Sequence, residues 1–432
     1  MNVLIFGYGL YGGGFASASY FLKKGHSVRL TDFRDESSLG DGVVRLKSMG
    51  VDVIAGCHRT EDFKWADIVV KTPAISPENE FLKFAKKQAN DFSCLFSDSH
   101  VKDVKLVCIT GTKGKTVTSS AVCSCLNSMG FKARMCGNMG ISPFAELALW
   151  EQGDVPQYLV CEFSAWQVRD TYRYLDGKMP EIEISMFTNV LDCDSSDFTG
   201  DRETDVGEKI KMFGSSAKKL LCPYEVTHNV AKIAGLGRKS IYSSEYAMSG
   251  FSKELPLNLR NAYAVLRRMG FSQGKVNMAL KSFKGVPHRA ELVTRRSNLI
   301  VVNDSAATIP AAVSFSFANF NTMPVHLICG GTGKNLDGSE MLDVLKSSVS
   351  VHLLDGNFTR QSLIPLLDEK HIRYYGPYEK IEDAVSGVMS SVSDCDVMQV
   401  VLLSPGAQAY EFFSNEFERG DRFRNCFIEP VS

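Results

Sequence analysis

Short runs of apolar, often β-branched residues recur along the chain and alternate with longer stretches of helical character. NVLIF, SVRLTD, DIVVK, LVCIT, QYLVCEF, EISMFTNV, NLIVVND, VHLIC and VVLLS each read as a strand. Strands that alternate with helices imply parallel βαβ units with both sheet faces covered. No repeat, low-complexity tract or coiled-coil heptad breaks the pattern. A polar stretch from Asn90 to Asp103 and the turn Gly285-Val286-Pro287 are the predicted boundaries, giving α/β units at 1–98, 99–285 and 286–432.

Length agrees with that division, since 432 residues at roughly 150 per domain make about three. Lys+Arg number 48 against 49 Asp+Glu, a net charge of −1, so the chain lacks the basic bias of a dedicated nucleic-acid binder. No apolar run approaches the ~20 residues that cross a bilayer. The start, Met1 to Gly7, has neither a basic segment nor a cleavage site and reads as a strand entering a glycine turn. The expectation is a cytoplasmic monomer that engages neither nucleic acid nor membrane. The 12 cysteines are scattered without a CxxC pair, which excludes a paired-ligand zinc site and predicts reduced, mostly buried thiols.

Two glycine turns carry candidate chemistry. Strand NVLIF runs into Gly7-Tyr8-Gly9-Leu10-Tyr11-Gly12, a helix follows, and the next strand ends in Asp32. Glycines there let backbone N–H groups approach a pyrophosphate at a helix N-terminus, and Asp32 is placed for a ribose hydroxyl. This motif suits NAD or any nucleoside diphosphate, and its spacing does not separate them. The second turn follows strand KLVCIT: Gly111-Thr112-Lys113-Gly114-Lys115-Thr116-Val117, then a helix. Gly114-Lys115-Thr116 is the core of a phosphate-binding loop, with backbone N–H groups around the β-phosphate, Lys115 on the γ-phosphate and Thr116 on Mg²⁺. It is a shorter variant, because Ile109 stands where the full pattern has glycine. An ATP cradle beside the first turn argues against a simple NAD-dependent oxidoreductase.

GTKGKT, CGNMG (Cys136 to Gly140) and CEFSAWQ (Cys161 to Gln167) occur in an order and spacing that resembles the Mur ligases. The resemblance continues through PLNLRNA at Pro256, GVPHRAE at Gly285, Asn303-Asp304-Ser305, Gly330-Gly331 and Leu403-Ser404-Pro405. It implies three domains: a Rossmann-like first domain for a UDP-linked substrate, a central P-loop-type ATPase domain and a Rossmann-like C-terminal domain that closes over both. It implies ATP-driven amide synthesis through an acyl phosphate in peptidoglycan building, with UDP-N-acetylmuramoyl-L-alanine, glutamate and ATP as substrates and Mg²⁺, two ions, as cofactor.

By the same resemblance, Gly9, Leu10, Tyr11, Asp32, Arg34, Asn138, Ser164 and Gln167 contact the UDP substrate. The ATP site comprises the second turn (Gly111 to Val117) with Asn258, Asn261, Arg289 and Asp304, and His288 resembles a further nucleotide-side contact. Glu162 serves the metal site with Thr116, and Lys209 matches a lysine that carries a carbamate. Several have a plainer alternative: a tight βα turn without ligand for the first glycine turn, a turn residue for Asn138, N-capping for the Asn258/Asn261 pair, a surface acid for Glu162, a solvated lysine for Lys209 and surface charge for His288 and Arg289. The chain also departs from the family. Asp194 stands at the position of a metal-binding histidine, Ala306 replaces a lysine that contacts the amino acid, Ala409 replaces a serine, and Glu416 follows Asn415. Thr308 is retained for the amino acid. Losing that cation and hydroxyl weakens the grip on a glutamate carboxylate unless another donor such as Gln408 or Arg419 compensates, since a charge-assisted hydrogen bond contributes ~1.5–3 kcal/mol. Those departures leave open the same chemistry with L-glutamate or another amino acid, and a non-catalytic UDP-sugar sensor.

Overall fold

The computed structural model describes residues 1–9, 13–73, 75–111, 113–137, 141–188, 217–222, 241–243, 257–296, 298–333, 336–393 and 396–428. Two compact units are present, Met1–Phe283 and Lys284–Ser432. The first contains two parallel sheets. β1 (Asn2–Phe6), β2 (Ser27–Asp32), β3 (Asp52–Ala55), β4 (Ile68–Lys71) and β5 (Gln88–Ala89) stand in the order β3-β2-β1-β4-β5. β6 (Lys105–Thr110), β7 (Ala133–Gly137), β8 (Tyr158–Glu162), β9 (Ile184–Phe187), β10 (Leu220–Cys222) and β11 (Ile241–Ser243) follow in the order β11-β10-β9-β6-β8-β7. This is the α/β architecture that the apolar runs predict: Val3, Leu4, Ile5 and Phe6 of β1 are all fully buried, as a strand covered on both faces requires.

One apolar cluster joins Val3 and Ile5 of the first sheet to Leu106, Leu159 and Cys161 of the second. Its link is the segment expected to be a polar separator. Asn90 and Ser93 form a reciprocal capping box, and the helix Asp91–Phe96 buries Phe92, Leu95 and Phe96. The polar letters of that segment obscure apolar residues spaced three and four apart, the spacing of one helix face. Phe92 stacks on Phe163 with ring centroids 3.8 Å apart, and burying each ring contributes about 1.5–3 kcal/mol.

The second unit is a sheet of β12 (Glu291–Arg296), β13 (Leu299–Asn303), β14 (Val325–Gly330), β15 (Ser350–Leu354), β16 (Tyr375–Tyr378) and β17 (Gln399–Leu403), ordered β12-β13-β17-β14-β15-β16. All neighbours are parallel except β12, which joins β13 as an antiparallel edge. Among the described residues Cys108, Cys125, Cys136, Cys161, Cys222 and Cys329 are buried thiols, whereas Cys57 and Cys426 are exposed. No described helix is long and apolar enough to cross a membrane.

Candidate functional site

At the C-terminal end of β1 the chain turns through Gly7 and Gly9 into the helix Gly13–Lys23. Gly7 has a φ of +91°, and a side chain there would meet Thr72 Oγ1 at 2.5 Å, so conformation and space both demand glycine. Asp32 sits beside this turn, buried. Its Oδ2 accepts hydrogen bonds from the Tyr8 amide (2.8 Å) and Arg34 Nη2 (2.9 Å), and its Oδ1 accepts from the Arg34 amide (3.0 Å) and Arg34 Nε (2.9 Å). Burial alone would raise its pKa; the donors Arg34 and Tyr8 outweigh burial and hold it below the usual aspartate value. Asp32 therefore fixes the glycine turn and aims the Arg34 side chain. Leu10 and Tyr11 lie outside the described residues.

The second turn links β6 to the helix Lys115–Ser128. Gly114 is the N-cap with a φ of +81°, so the helix opens on backbone rather than on a capping side chain. Lys115 Nζ donates to the Gly111 carbonyl at 2.7 Å, which folds the ammonium over the loop. Thr116, buried in the first helical turn, donates from Oγ1 to Glu162 Oε1 at 3.3 Å. Glu162 ends β8, the parallel neighbour of β6, in register with Ile109. The topology thus sets a hydroxyl and a carboxylate, both hard oxygen donors, together at the mouth of the loop. These donors suit Mg²⁺. Asp194, the third expected ligand, lies outside the described residues, as do Lys209, Thr112 and Asn138.

Asn258 and Asn261 lie inside the helix Leu257–Arg268. A side chain on Gly114 would meet Asn258 Oδ1 at 2.2 Å, and the Asn258 carbonyl accepts from Thr118 Oγ1 (3.2 Å). Buried Asn261 donates from Nδ2 to the Thr188 carbonyl across a long 3.5 Å. Both asparagines are brought to the phosphate loop together with its third wall, Thr188. That residue donates its hydroxyl to the Lys113 carbonyl (2.6 Å) and its amide to the Thr110 carbonyl (2.9 Å). Sequence reading missed Thr188; its only signal is a hydroxyl placed directly after β9. Val117 lies half-buried in the first helical turn.

Ser164 and Gln167 form the capping box of the helix Ala165–Tyr174. The Gln167 amide donates to Asp91 Oδ2 at 3.2 Å, and its Oε1 accepts from the Ser164 amide at 3.1 Å. Gln167 is therefore buried and committed to holding this turn. Burial also lifts Asp91 to about 6, despite its donors Phe92 and Gln167.

In the second unit Asp304 follows β13 and is buried. Its carboxylate accepts from the Ala290 amide (3.0 Å), Ser404 Oγ (2.9 Å) and Ser316 Oγ. Burial raises it to about 6 against those neutral donors. His288, with φ +61°, packs against Gly420 and accepts at Nδ1 from Asn303 Nδ2 (3.1 Å); its neighbour Arg289 and Thr308 are partly exposed. Arg419 does not reach for a substrate carboxylate. It is 1% exposed, and its guanidinium donates to Ser305 Oγ (3.0 Å) and to the carbonyls of Ser305 (2.9 Å), Ala407 (3.0 Å) and Gln408 (3.2 Å). Burial pulls it down to about 9. Of the two donors named as able to offset the loss at Ala306, Arg419 is thus engaged internally as a brace.

No family model matches the chain. In fold it is similar to the Mur ligases. UDP-N-acetylmuramate-alanine ligase MurC from Thermotoga maritima aligns with a TM-score of 0.59 at 16% identity over 98% of both chains. MurF ligase from the same organism, in complex with ADP, aligns with a TM-score of 0.55 at 12% identity over 93% of this chain and 94% of the other. In sequence the chain is similar to the UDP-N-acetylmuramoylalanine–D-glutamate ligase of Borreliella burgdorferi, 29% identical over 460 residues, covering 98% of this chain and 97% of the relative. The resemblance read from the collinear motifs therefore extends over almost the whole chain.

Proposed function

We propose that this chain is an ATP-dependent ligase that joins D-glutamate to UDP-N-acetylmuramoyl-L-alanine in peptidoglycan synthesis. The observation that carries the reading is the Gly114-Lys115-Thr116 loop closed by Thr116 and Glu162, in a chain alignable end to end with D-glutamate ligases. In this reading the turn at Gly7–Gly9, with Arg34 held by Asp32, receives the UDP end, and Ser164 and Asn138 border the alanyl carboxylate. Lys115 draws the γ-phosphate of ATP toward that carboxylate. Its oxygen takes the phosphoryl group to give an acyl phosphate, and ADP leaves. The glutamate amine then attacks the acyl carbon, loses a proton, and phosphate departs.

Thr116 and Glu162 would hold Mg²⁺, which when bound neutralises charge on the phosphate oxygens. Asp194 as the ligand of a second ion and a carbamate on Lys209 belong to the same proposal. So do the nucleotide contacts of Asn258, Asn261, Arg289 and Asp304, the amino-acid contact of Thr308, and the split into a substrate domain (1–98), an ATP domain (99–285) and a closing domain (286–432). The pattern of Ala306, Ala409 and the internally engaged Arg419 supports one second reading, the same chemistry with L-glutamate or another acceptor.

A coupled assay of ADP release with UDP-N-acetylmuramoyl-L-alanine, run in parallel with both glutamate enantiomers, tests the proposal. Turnover with D-glutamate supports it. Turnover with L-glutamate alone selects the second reading, and failure of every amino acid to support turnover refutes both.

A further inference from the structure

Lys71 and Asp170 form an ion pair of 2.7 Å in which both side chains are almost wholly buried, at 1% and 2% exposure. Lys71 ends β4 in register with Phe6, one residue before the first glycine turn. The next residue, Thr72, donates from its amide and its hydroxyl to the Phe6 carbonyl, at 3.0 and 3.2 Å. Asp170 lies on the helix Ala165–Tyr174, which Ser164 caps and which follows Glu162 by one short turn. The pair therefore ties the wall of one candidate substrate site to the element that carries the other. Two further bonds run along the same seam, Asn90 Nδ2 to Thr171 Oγ1 (2.9 Å) and Gln167 Nε2 to Asp91 Oδ2 (3.2 Å).

Stability does not explain such a pair. Removing two ions from water costs more than their attraction returns in many cases, and apolar replacements of similar volume are often neutral or stabilising. In some proteins a buried polar pair instead fixes a unique register. We infer that Lys71 and Asp170 are positioning residues: they hold the Glu162–Ser164 turn at a fixed offset from the first glycine turn, so that a substrate anchored by its nucleotide end presents its carboxylate in line with the phosphate loop. The inference rests on the proposed ligase reading and assigns this seam to the chemical step rather than to binding.

The test is the joint variant Lys71→Met with Asp170→Leu, made in the full chain. ADP and UDP-N-acetylmuramoyl-L-alanine binding are measured by calorimetry, cooperativity by thermal unfolding, and kcat by ADP release. The expected result is a cooperative transition at or above the unaltered midpoint and both affinities within about threefold. With them kcat falls by about ten- to a hundredfold, the size of effect that a misplacement near 1 Å produces. Asp170→Asn, which keeps an acceptor for Lys71, retains most of kcat. Unchanged kcat in the joint variant overturns the inference, and so does a loss of kcat matched by lost cooperativity, which is what a purely structural pair gives. Absence of turnover by the unaltered chain refutes the ligase reading itself; turnover that the joint variant leaves untouched refutes only the positioning role.

Discussion

Gly114→Ala offers the sharpest test of the phosphate loop. The residue has a φ of +81°, a region where a side chain costs about 1–2 kcal/mol. The added methyl carbon would also lie 2.2 Å from Asn258 Oδ1. That oxygen is the end of a rotatable side chain, so it swings away, and the conformational term dominates the loss of stability. At about 2–4 °C per kcal/mol for a unit of this size, the unfolding midpoint falls by a few degrees. Nucleotide binding suffers more. Loop amides turned off the β-phosphate forfeit charge-assisted hydrogen bonds of about 1.5–3 kcal/mol each, and one such bond is already about tenfold or more in affinity. Calorimetric titration with ADP is therefore expected to show affinity reduced by one to two orders of magnitude, with UDP-substrate affinity nearly unchanged. Adding Asn258→Ala relieves the steric part alone, so the stability cost of Gly114→Ala becomes smaller in that background. ADP affinity kept within about twofold would show that Gly114 does not shape a nucleotide cradle.

Two further outcomes follow from individual side chains. Lys115→Ala is expected to abolish acyl-phosphate formation while leaving UDP-substrate affinity intact, because Lys115 Nζ folds over its own loop to the Gly111 carbonyl; rapid-quench trapping of the acyl phosphate beside calorimetry reads the two separately, and equal losses would contradict the assignment. His352 is fully buried between Ser350, Ser391 and the Tyr375 ring, and burial, aided by neighbouring His326, pushes it down to about 4. The neutral ring is thus the folded form, so its contribution is intact above about pH 6.5 and is lost at about 1.4 kcal/mol per unit as pH falls toward 4. Asp304, raised to about 6 by burial, acts in the opposite sense over this window, so the readout is the difference between urea unfolding of the unaltered chain and of His352→Gln. A difference in stability that does not change between pH 6.5 and 4.5 would refute the assignment.

Legibility in the sequence followed the range of the forces involved. β1, β6, β13 and β17 each carry an apolar run (VLIF, LVCI, LIVV and VVLL), which marks them as strands from composition alone. β7 (ARMCG), β15 (SVHLL) and β16 (YGPY) escaped because they mix polar and small residues; neighbouring strands stabilise them, and a linear pattern does not carry that partnership. The phosphate loop was readable because its requirements are local: a strand, a left-handed glycine and a helix start. Gln167 and Arg419 were not, because the groups that occupy them are far away in sequence. Asp91 precedes Gln167 by 76 residues and Ser305 precedes Arg419 by 114. A long polar side chain reads as a substrate contact until its internal partners are known.

Three acids at the C-terminal ends of strands show what spacing can and cannot decide. Asp32, Glu162 and Asp304 end or follow β2, β8 and β13, the edge where α/β sheets gather ligands. Position nominates all three equally, but their partners separate them. Asp32 faces the Arg34 guanidinium, which secures its negative charge at neutral pH and commits both oxygens to the turn. Asp304 faces two hydroxyls and an amide, donors too weak to offset burial, so its charge is held loosely, near pH 6. Glu162 faces the hydroxyl of the residue that follows the loop lysine, and of the three it alone combines a second oxygen donor with a phosphate loop. An acid spent on a guanidinium organises a site without touching its ligand, and one held by neutral donors answers to protonation. The hydroxyls at Asp304 belong to Ser316 and Ser404, whereas the hydroxyl at Glu162 belongs to the phosphate loop's own helix, and for that reason the proposed metal role is assigned to Glu162.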